Sequence, residues 1–168
     1  MITSNELILA SASPRRAQLL REARLVFQSV APRFDDSGVP LAGAPAALAA
    51  RLARAKAESV AHEHPGHLIL GCDTLLDIDG RIVGKPADES EARTILGSLL
   101  GREHKVVTAF CLMDTRSGRK EERVDTASVT IHHPGREELE PYIASGAWRG
   151  KAGGYNLAEL QGRWRIDV

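Results

Sequence analysis

The segment Leu7–Leu20 constrains the fold of this chain more than any other. Its short apolar run, Leu7–Ala10, stops at small hydroxyl residues, a proline and two adjacent arginines, after which apolar periodicity resumes. This pattern predicts a strand, a tight turn and a helix with Ser13 as its N-cap and Pro14 as its first residue. The free N–H groups at the start of such a helix can bind an anion. The alternative is an ordinary strand-to-helix connection with solvated arginines.

The length and charge of the chain predict a single domain that recognises any anionic ligand locally. At 168 residues and 43% hydrophobic content, the chain can bury a sizeable core, so one domain over residues 1–168 is expected. Acidic and basic residues number 22 each, so no global field attracts nucleic acid or an anionic membrane. Neither is therefore expected among its partners.

The cysteines and the longest apolar segments indicate the compartment. Cys72 and Cys111 each lie inside an apolar run and form no CxxC pair, which is typical of buried free thiols in a reducing compartment and argues against a zinc site. No apolar run has transmembrane length, and the N-terminal segment lacks the pattern of a secretory signal. The sequence therefore predicts a cytoplasmic protein.

Apolar strands and helical segments alternate along the rest of the chain, which predicts an α/β fold. Helices are predicted over residues 46–61, 90–100 and 137–145, and strands over 26–30, 67–72, 75–78, 81–83, 104–113 and 123–132. Asp79-Gly80 and Ser117-Gly118 are hairpin turn signals, so part of the sheet is expected to be antiparallel. The strand 67–72 is expected to end at Asp73-Thr74, and the glycine-rich segment 150–156 to form a flexible loop.

Charged and hydroxyl side chains interrupt the apolar pattern mostly at predicted strand ends and in loops. They are Arg15, Arg16, Asp36, Lys56, Asp73, Thr74, Lys85 and Lys151. Ligands of open α/β sheets bind at strand ends, and several cations with two or more carboxylates suit a polyphosphate with a divalent cation. In such a site the carboxylates hold Mg²⁺ or Mn²⁺, and the cations neutralise charge that develops in the transition state.

Each of these residues also has a purely structural interpretation. Asp73 could cap a turn, Lys85 could be solvated beside Pro86, and Lys56 could lie on the solvated face of its helix. The six histidines lack metal-ligand spacing, and no P-loop, dinucleotide-binding glycine motif or nucleophile elbow is present. The prediction of a nucleotide site therefore depends on the combination of residues.

Five blocks of the sequence, taken in order, resemble one protein family. They are Ser11–Arg16, Arg51–Ala57, Asp73-Thr74 with Gly84–Pro86, Leu99–Thr108, and Lys151–Tyr155. The family is Maf, a group of nucleoside triphosphate pyrophosphatases once described as septum-formation inhibitors. The resemblance covers nearly the whole chain and implies a Maf/ITPase-like fold, in which helices flank a mixed central sheet and two lobes enclose a nucleotide cleft.

The resemblance also implies an activity, hydrolysis of a nucleoside triphosphate to the monophosphate and pyrophosphate with Mg²⁺ or Mn²⁺. By position, Asp73 would orient or deprotonate the attacking water and, with Asp36, would bind the metal. Arg15 would contact the nucleotide and influence base choice, with Thr74 beside the base. The other substrate-binding candidates are Ser13, Arg16, Lys56, Lys85 and Lys151.

The chain departs from the family pattern at three places. Asp36 stands where the family usually has Glu, and Ala158 stands where the dTTP/UTP branch usually has Gln. The family's terminal segment is missing after Val168, as in a truncated or naturally short member, and that loss would affect stability or the homodimer contacts the family uses. Arg15 and Thr74 still favour a loose dTTP or UTP preference.

Two other functions stay open at this point. One is hydrolysis of 7-methyl-GTP, the specificity of a second branch of the family. The other is a nucleotide-binding regulator with little turnover that acts through a division or repair partner. The presence of Asp73, Lys56 and Lys85 favours an enzyme, because a pure binder has no need for a carboxylate beside anionic phosphates.

Overall fold

The computed structural model describes residues 7–36 and 38–168, so Ser37, which follows the candidate metal ligand Asp36, lies outside the described residues. Its strands are β1 (Leu7–Ala10), β2 (Gln28–Val30), β3 (Leu68–Ile78), β4 (Arg81–Val83), β5 (Glu103–Asp114), β6 (Lys120–Ile131) and β7 (Ile166–Asp167). Its α-helices are α1 (Pro14–Glu22), α2 (Pro45–Ala61), α3 (Glu89–Leu99), α4 (Arg136–Ala144) and α5 (Leu157–Leu160), with a 3₁₀ turn at Ala152–Gly154.

The strands form one mixed sheet in the order β2-β1-β3-β5-β6-β7, with β4 paired to β3. Strand β1 is parallel to both β2 and β3, whereas β4 runs antiparallel to β3 and β7 antiparallel to β6. The predicted α/β fold with a mixed central sheet and flanking helices is therefore confirmed. In the β1–β3 register the last residue of β1, Ala10, pairs with Gly71. β1 therefore ends at a level two residues before Asp73 on β3.

The prediction that a strand ends at Asp73-Thr74 is wrong. β3 runs unbroken through both residues, and from Leu68 to Leu75 its buried positions alternate as a pleated strand requires, with Gly71, Asp73 and Leu75 on one face. Asp73 is therefore an inward-facing residue in the middle of a strand, where an apolar side chain is usual. Its carboxylate points into the protein because of the twofold period of the strand.

The glycine-rich segment is also not the flexible loop that its composition suggests. Gly153 and Gly154 are buried and have φ values of +67° and +77°. A Cβ on Gly153 would lie 2.2 Å from Leu76 Cδ2, and its N–H donates to the Gly84 carbonyl at 2.9 Å. Glycine is needed here because of this close approach and left-handed backbone, and the segment is a packed turn.

The chain divides into two compact units. Unit 1 consists of the described residues of 1–40 with 46–73 and 108–125, and unit 2 of 41–45, 74–107 and 126–168. The core of unit 2 is built from α3, α4 and strand residues, with Trp148 and Tyr142 as its largest fully buried side chains. Within residues 7–36 and 38–168, no helix is both long and apolar enough to cross a bilayer.

In unit 1, α2 packs against β3 at very short range. Gly71 has no side chain, and a Cβ there would lie 2.2 Å from the Ala53 carbonyl oxygen and 2.7 Å from the Ala57 nitrogen. Ala53 and Ala57 are themselves fully buried, so small residues on both elements allow the two backbones to meet. This contact brings Lys56, on α2, toward the face of β3 that carries Asp73.

A histidine and a tyrosine are hydrogen-bonded in the interior of unit 2. His104 is 2% exposed, its Nε2 lies 2.6 Å from Tyr155 Oη, and its Nδ1 lies 3.3 Å from the Arg102 carbonyl oxygen. Because a carbonyl oxygen can only accept a hydrogen bond, Nδ1 of His104 carries the proton, and Nε2 accepts a hydrogen bond from the tyrosine hydroxyl. Burial lowers the pKa of His104, and the bond to Arg102 opposes this only in part. Folding therefore favours the neutral imidazole.

The free energy of unfolding should consequently fall as the pH drops below about 6.5, the usual pKa of an imidazole. The unfolded chain binds a proton there while folded His104 stays neutral, so stability is lost from that pH down to the lower folded pKa. Urea unfolding between about pH 7 and pH 5 measures the effect. His104→Gln, which hydrogen-bonds but does not titrate, should flatten the dependence, whereas His62→Gln at an exposed site should not. An unchanged slope in His104→Gln would contradict the assignment.

Candidate functional site

Unit 1 joins three of the predicted residues through one buried ammonium group. Lys56 Nζ donates to Asp36 Oδ2 at 2.8 Å and to Asp73 Oδ1 at 2.5 Å. Lys56 is 8% exposed and Asp73 5%. Burying charged groups to this extent costs folding free energy unless they are paired and hydrogen-bonded. The loop after β2, helix α2 and strand β3 thus supply one charged group each to a common centre.

The second carboxylate oxygen of Asp73 is an unsatisfied acceptor within the described part of the chain. Asp73 Oδ2 is buried, and no donor from residues 7–36 or 38–168 reaches it. An unsatisfied buried acceptor costs about 1–3 kcal/mol, so proteins keep such atoms where a ligand or an ordered water supplies the partner. One oxygen of Asp73 is therefore held by Lys56, and the other can accept a proton or bind a cation.

The first turn of the chain is tied to β3 beside this centre. Arg16 Nη1 donates to Ser11 Oγ at 3.2 Å and to the Cys72 carbonyl oxygen at 2.8 Å. Ser11 Oγ also accepts the Ser13 N–H at 3.2 Å. Ser11 is 6% exposed and was not among the residues predicted for the site. Its position as a hydroxyl residue directly after a buried strand is the sequence signal for it.

Ser13 and Arg15 lie on the same turn but outside the Lys56 contacts. Ser13 is the N-cap of α1, as predicted, with Pro14 at the start of the helix, but its side chain makes no capping hydrogen bond. Arg15 Nη1 lies 3.7 Å from Glu22 Oε1, and 36% of the Arg15 side chain is exposed. This is a weak surface pair, so Arg15 can reorient toward a ligand at little cost.

The remaining predicted residues belong to unit 2. Thr74 follows Asp73 on β3 and is half-buried, and Lys85 is exposed just after β4. Lys151, half-buried before the glycine turn, is ion-paired with Glu159. Asn156 Nδ2 also donates to Glu159, at 3.2 Å. The Lys56 contacts within unit 1 therefore include two of the predicted cofactor ligands, Asp36 and Asp73, but not these three residues.

The donor set for a metal consists of two carboxylates. Among the described residues, no three His, Cys, Asp or Glu side chains lie together as a metal-binding group. Mg²⁺, however, is commonly held by one or two carboxylates together with substrate phosphates and water. Asp36 and Oδ2 of Asp73, which has no hydrogen-bond partner among the described residues, fit this mode of binding.

Comparison with known proteins places the whole chain in one family. The sequence profile described as "Maf-like protein" matches residues 6–167. The chain belongs to the Maf family. Among its relatives, a protein of Paramagnetospirillum magneticum named "dTTP/UTP pyrophosphatase" is 45% identical over 165 residues, which cover 96% of this chain and 85% of the relative. A protein of the same name from Symbiobacterium thermophilum is 41% identical over 94% of this chain and 78% of its own length.

The Maf fold of this chain is also similar to a solved structure of another protein. The Staphylococcus aureus Ham1 protein superposes with a TM-score of 0.52, covering 75% of this chain and 71% of the Ham1 chain. Only 16% of the aligned residues are identical, so the similarity bears on the fold alone. It agrees with the mixed sheet and flanking helices that the family resemblance implies.

Proposed function

We propose that this Maf protein is a hydrolase that cleaves the bond between the α- and β-phosphates of a nucleoside triphosphate. The products are the nucleoside monophosphate and pyrophosphate. The observation that carries the proposal is the contact of buried Lys56 with buried Asp73 and half-buried Asp36, in which Asp73 Oδ2 has no hydrogen-bond partner among the described residues. The names of the relatives, "dTTP/UTP pyrophosphatase", support the same reaction.

Asp73 acts as the general base. Its Oδ2 accepts the proton of the attacking water while Lys56 holds Oδ1, so the carboxylate keeps one orientation. The water oxygen bonds to the α-phosphorus as the α–β phosphoanhydride bond breaks, and pyrophosphate leaves with the electron pair of that bond. Cations of the site stabilise the charge that develops on the phosphates.

A divalent cation, Mg²⁺ or Mn²⁺, is the cofactor we propose. Asp36 and Asp73 would hold it, and when bound it supplies positive charge to phosphate oxygens. Asp36 is shorter than the Glu that the family resemblance leads one to expect, but a carboxylate of either length is a suitable oxygen ligand. Lys56, which lies between the two carboxylates, keeps them together in the protein without ligand.

The remaining assignments follow the resemblance and stay proposals. Arg15 contacts the nucleotide and Thr74 lies beside the base. The residues assigned to the phosphates or to other substrate contacts are Ser13, Lys56, Lys85 and Lys151. We also propose that residues 1–168 act as one Maf domain with a nucleotide cleft. The homodimer and the cytoplasmic location stay predictions from the sequence.

Base preference is the part of the function that a substrate panel tests. Ala158 cannot offer the amide of a Gln, and the neighbouring Glu159 is already bonded to Lys151 and Asn156. A site that lacks one polar contact to the base discriminates less sharply between nucleotides with different bases. We therefore expect dTTP and UTP to be preferred over other triphosphates by no more than about tenfold in kcat/KM, since one modest contact contributes about 1–2 kcal/mol.

The experiment is pyrophosphate release with Mn²⁺ or Mg²⁺ from a panel of nucleoside triphosphates that includes 7-methyl-GTP. Release of pyrophosphate and monophosphate from dTTP and UTP supports the proposal. Strict selectivity for 7-methyl-GTP would assign the chain to the alternative branch. Tight nucleotide binding without release would instead indicate a regulator with little catalysis.

A further inference from the structure

Arg16 uses one nitrogen to join two separate parts of unit 1. Its Nη1 carries two N–H groups, and two acceptors lie within reach, Ser11 Oγ at 3.2 Å and the Cys72 carbonyl oxygen at 2.8 Å. Ser11 follows the last residue of β1, and Cys72 directly precedes Asp73 on β3. The guanidinium therefore contacts the first turn and the backbone of the general base at the same time.

The parallel ladder between β1 and β3 explains why Arg16 is needed there. The last pair in the register is Ala10 with Gly71, and beyond it β1 turns away while β3 continues to Ile78. The Cys72 carbonyl lies one residue past that last pair. A backbone acceptor at this depth needs a donor, and Arg16 provides one in place of the strand that has left.

Orientation of the Cys72 carbonyl also sets the orientation of Asp73. The carbonyl of Cys72 and the N–H of Asp73 belong to one planar peptide unit, so a hydrogen bond that fixes the carbonyl fixes the direction in which Asp73 leaves the strand. Arg16 itself is half-buried, and Ser11 is buried. Neither acceptor is a mobile surface group that the guanidinium would leave readily.

We propose that Arg16 is a positioning residue, which orients Asp73 through the Cys72 carbonyl and Ser11 and does not act as a phosphate ligand. The proposal rests on the function proposed above, with Asp73 as the general base. It reverses the role that the family resemblance implies for Arg16. A phosphate ligand contributes mainly to affinity for triphosphate and pyrophosphate, whereas a positioning residue contributes mainly to turnover.

The test compares Arg16→Met, Arg16→Lys, Ser11→Ala and the double variant Arg16→Met/Ser11→Ala. The matched control is Arg21→Met, on the exposed side of the same helix, where the guanidinium lies over the Phe27 ring. Steady-state dTTP hydrolysis gives kcat and KM, and inhibition by pyrophosphate gives its inhibition constant. All variants are compared with the wild-type protein.

If Arg16 is a positioning residue, Arg16→Met lowers kcat by about tenfold or more. The KM for dTTP and the pyrophosphate inhibition constant then change by less than about threefold. Arg16→Lys should recover part of kcat, because an ammonium can still donate to the carbonyl. The double variant should be little worse than Arg16→Met, since Arg16→Met already removes the Arg16–Ser11 contact that Ser11→Ala would break. An unchanged kcat with a tenfold rise in KM and in the pyrophosphate constant would identify Arg16 as a phosphate ligand and overturn the inference.

A second measurement separates this inference from the proposed function. If wild-type protein hydrolyses no nucleoside triphosphate, the proposed function fails, but amide hydrogen exchange still reports on the contact. Arg16→Met should accelerate exchange in the segment 71–74 of β3, and Arg21→Met should leave it unchanged. Equal protection of that segment in Arg16→Met and wild type would overturn the inference whatever the activity.

Discussion

Asp73→Asn should leave the protein folded and lower kcat by about 10²-fold or more, the usual contribution of a general base. Asn keeps the shape of the side chain, and its carbonyl oxygen can still accept from Lys56, which donates to Asp73 Oδ1 at 2.5 Å. The change falls on Oδ2, the atom without a partner, which becomes an amide nitrogen that cannot take a proton. Pyrophosphate release under saturating substrate measures the loss.

The matched control is Asp77→Asn, the same substitution at another aspartate of β3 that lies outside the proposed site. It should retain kcat within about threefold of wild type, in the range of a variant that touches no catalytic group. Urea unfolding of both variants shows whether the fold survives. Near-wild-type turnover in Asp73→Asn would remove Asp73 from the role of base and make Asp36 the next carboxylate to test.

Lys56→Met should destabilise the protein by about 3–5 kcal/mol, the usual cost of breaking a buried ion pair, and should abolish most of the activity. The ammonium lies between two carboxylates, 2.8 Å from Asp36 and 2.5 Å from Asp73. Without it, the two carboxylates lose the cation that lies between them, and Asp73 loses the contact that orients it. The free energy of unfolding from urea titrations measures the first effect.

Two further variants make this prediction specific. Lys120→Met removes a lysine of unit 1 that pairs with Glu58 at the surface, with side-chain exposures of 39% and 46%, and should cost less than about 1 kcal/mol. Asp73→Asn combined with Lys56→Met should recover part of the stability but none of the activity, because it removes the buried charge of Asp73, which is also the base. If Lys56→Met lowers the free energy of unfolding no more than Lys120→Met does, the contacts of Lys56 with Asp36 and Asp73 contribute little to stability.

The local sequence pattern was sufficient to predict most helices and strands of the fold. The run of small hydroxyl residues and Pro14 predicted the turn into α1, and the helical period of residues 46–61 predicted α2 to within one residue of its observed bounds. Such features depend on neighbours a few positions away, because capping, turn geometry and periodicity act over that distance. Burial of Lys56 was also readable in principle, since it lies four residues from Leu52 and four from Val60, both 3% exposed.

Predictions from local pattern were wrong at Asp73 and at the glycine-rich segment, where the residue type is unusual for a buried position. The sequence predicts a strand end at Asp73 because charged residues are seldom buried inside strands. It predicts a flexible loop at Gly153 and Gly154 because composition alone does not distinguish a mobile loop from a turn that needs φ above zero. Both errors concern residues whose environment comes from elements distant in the chain.

By itself, the sequence determined the elements, the family and the residue types that the chemistry needs. Only the tertiary structure determined which of those residues meet: Lys56 reaches Asp36 and Asp73 across 20 and 17 positions of the chain, and Arg16 reaches Cys72 across 56. Those contacts depend on the close approach of α2 to β3 at Gly71 and on the point where β1 leaves the sheet. Periodicity carries no information about packing at such separations, because the contacts form only when whole elements dock.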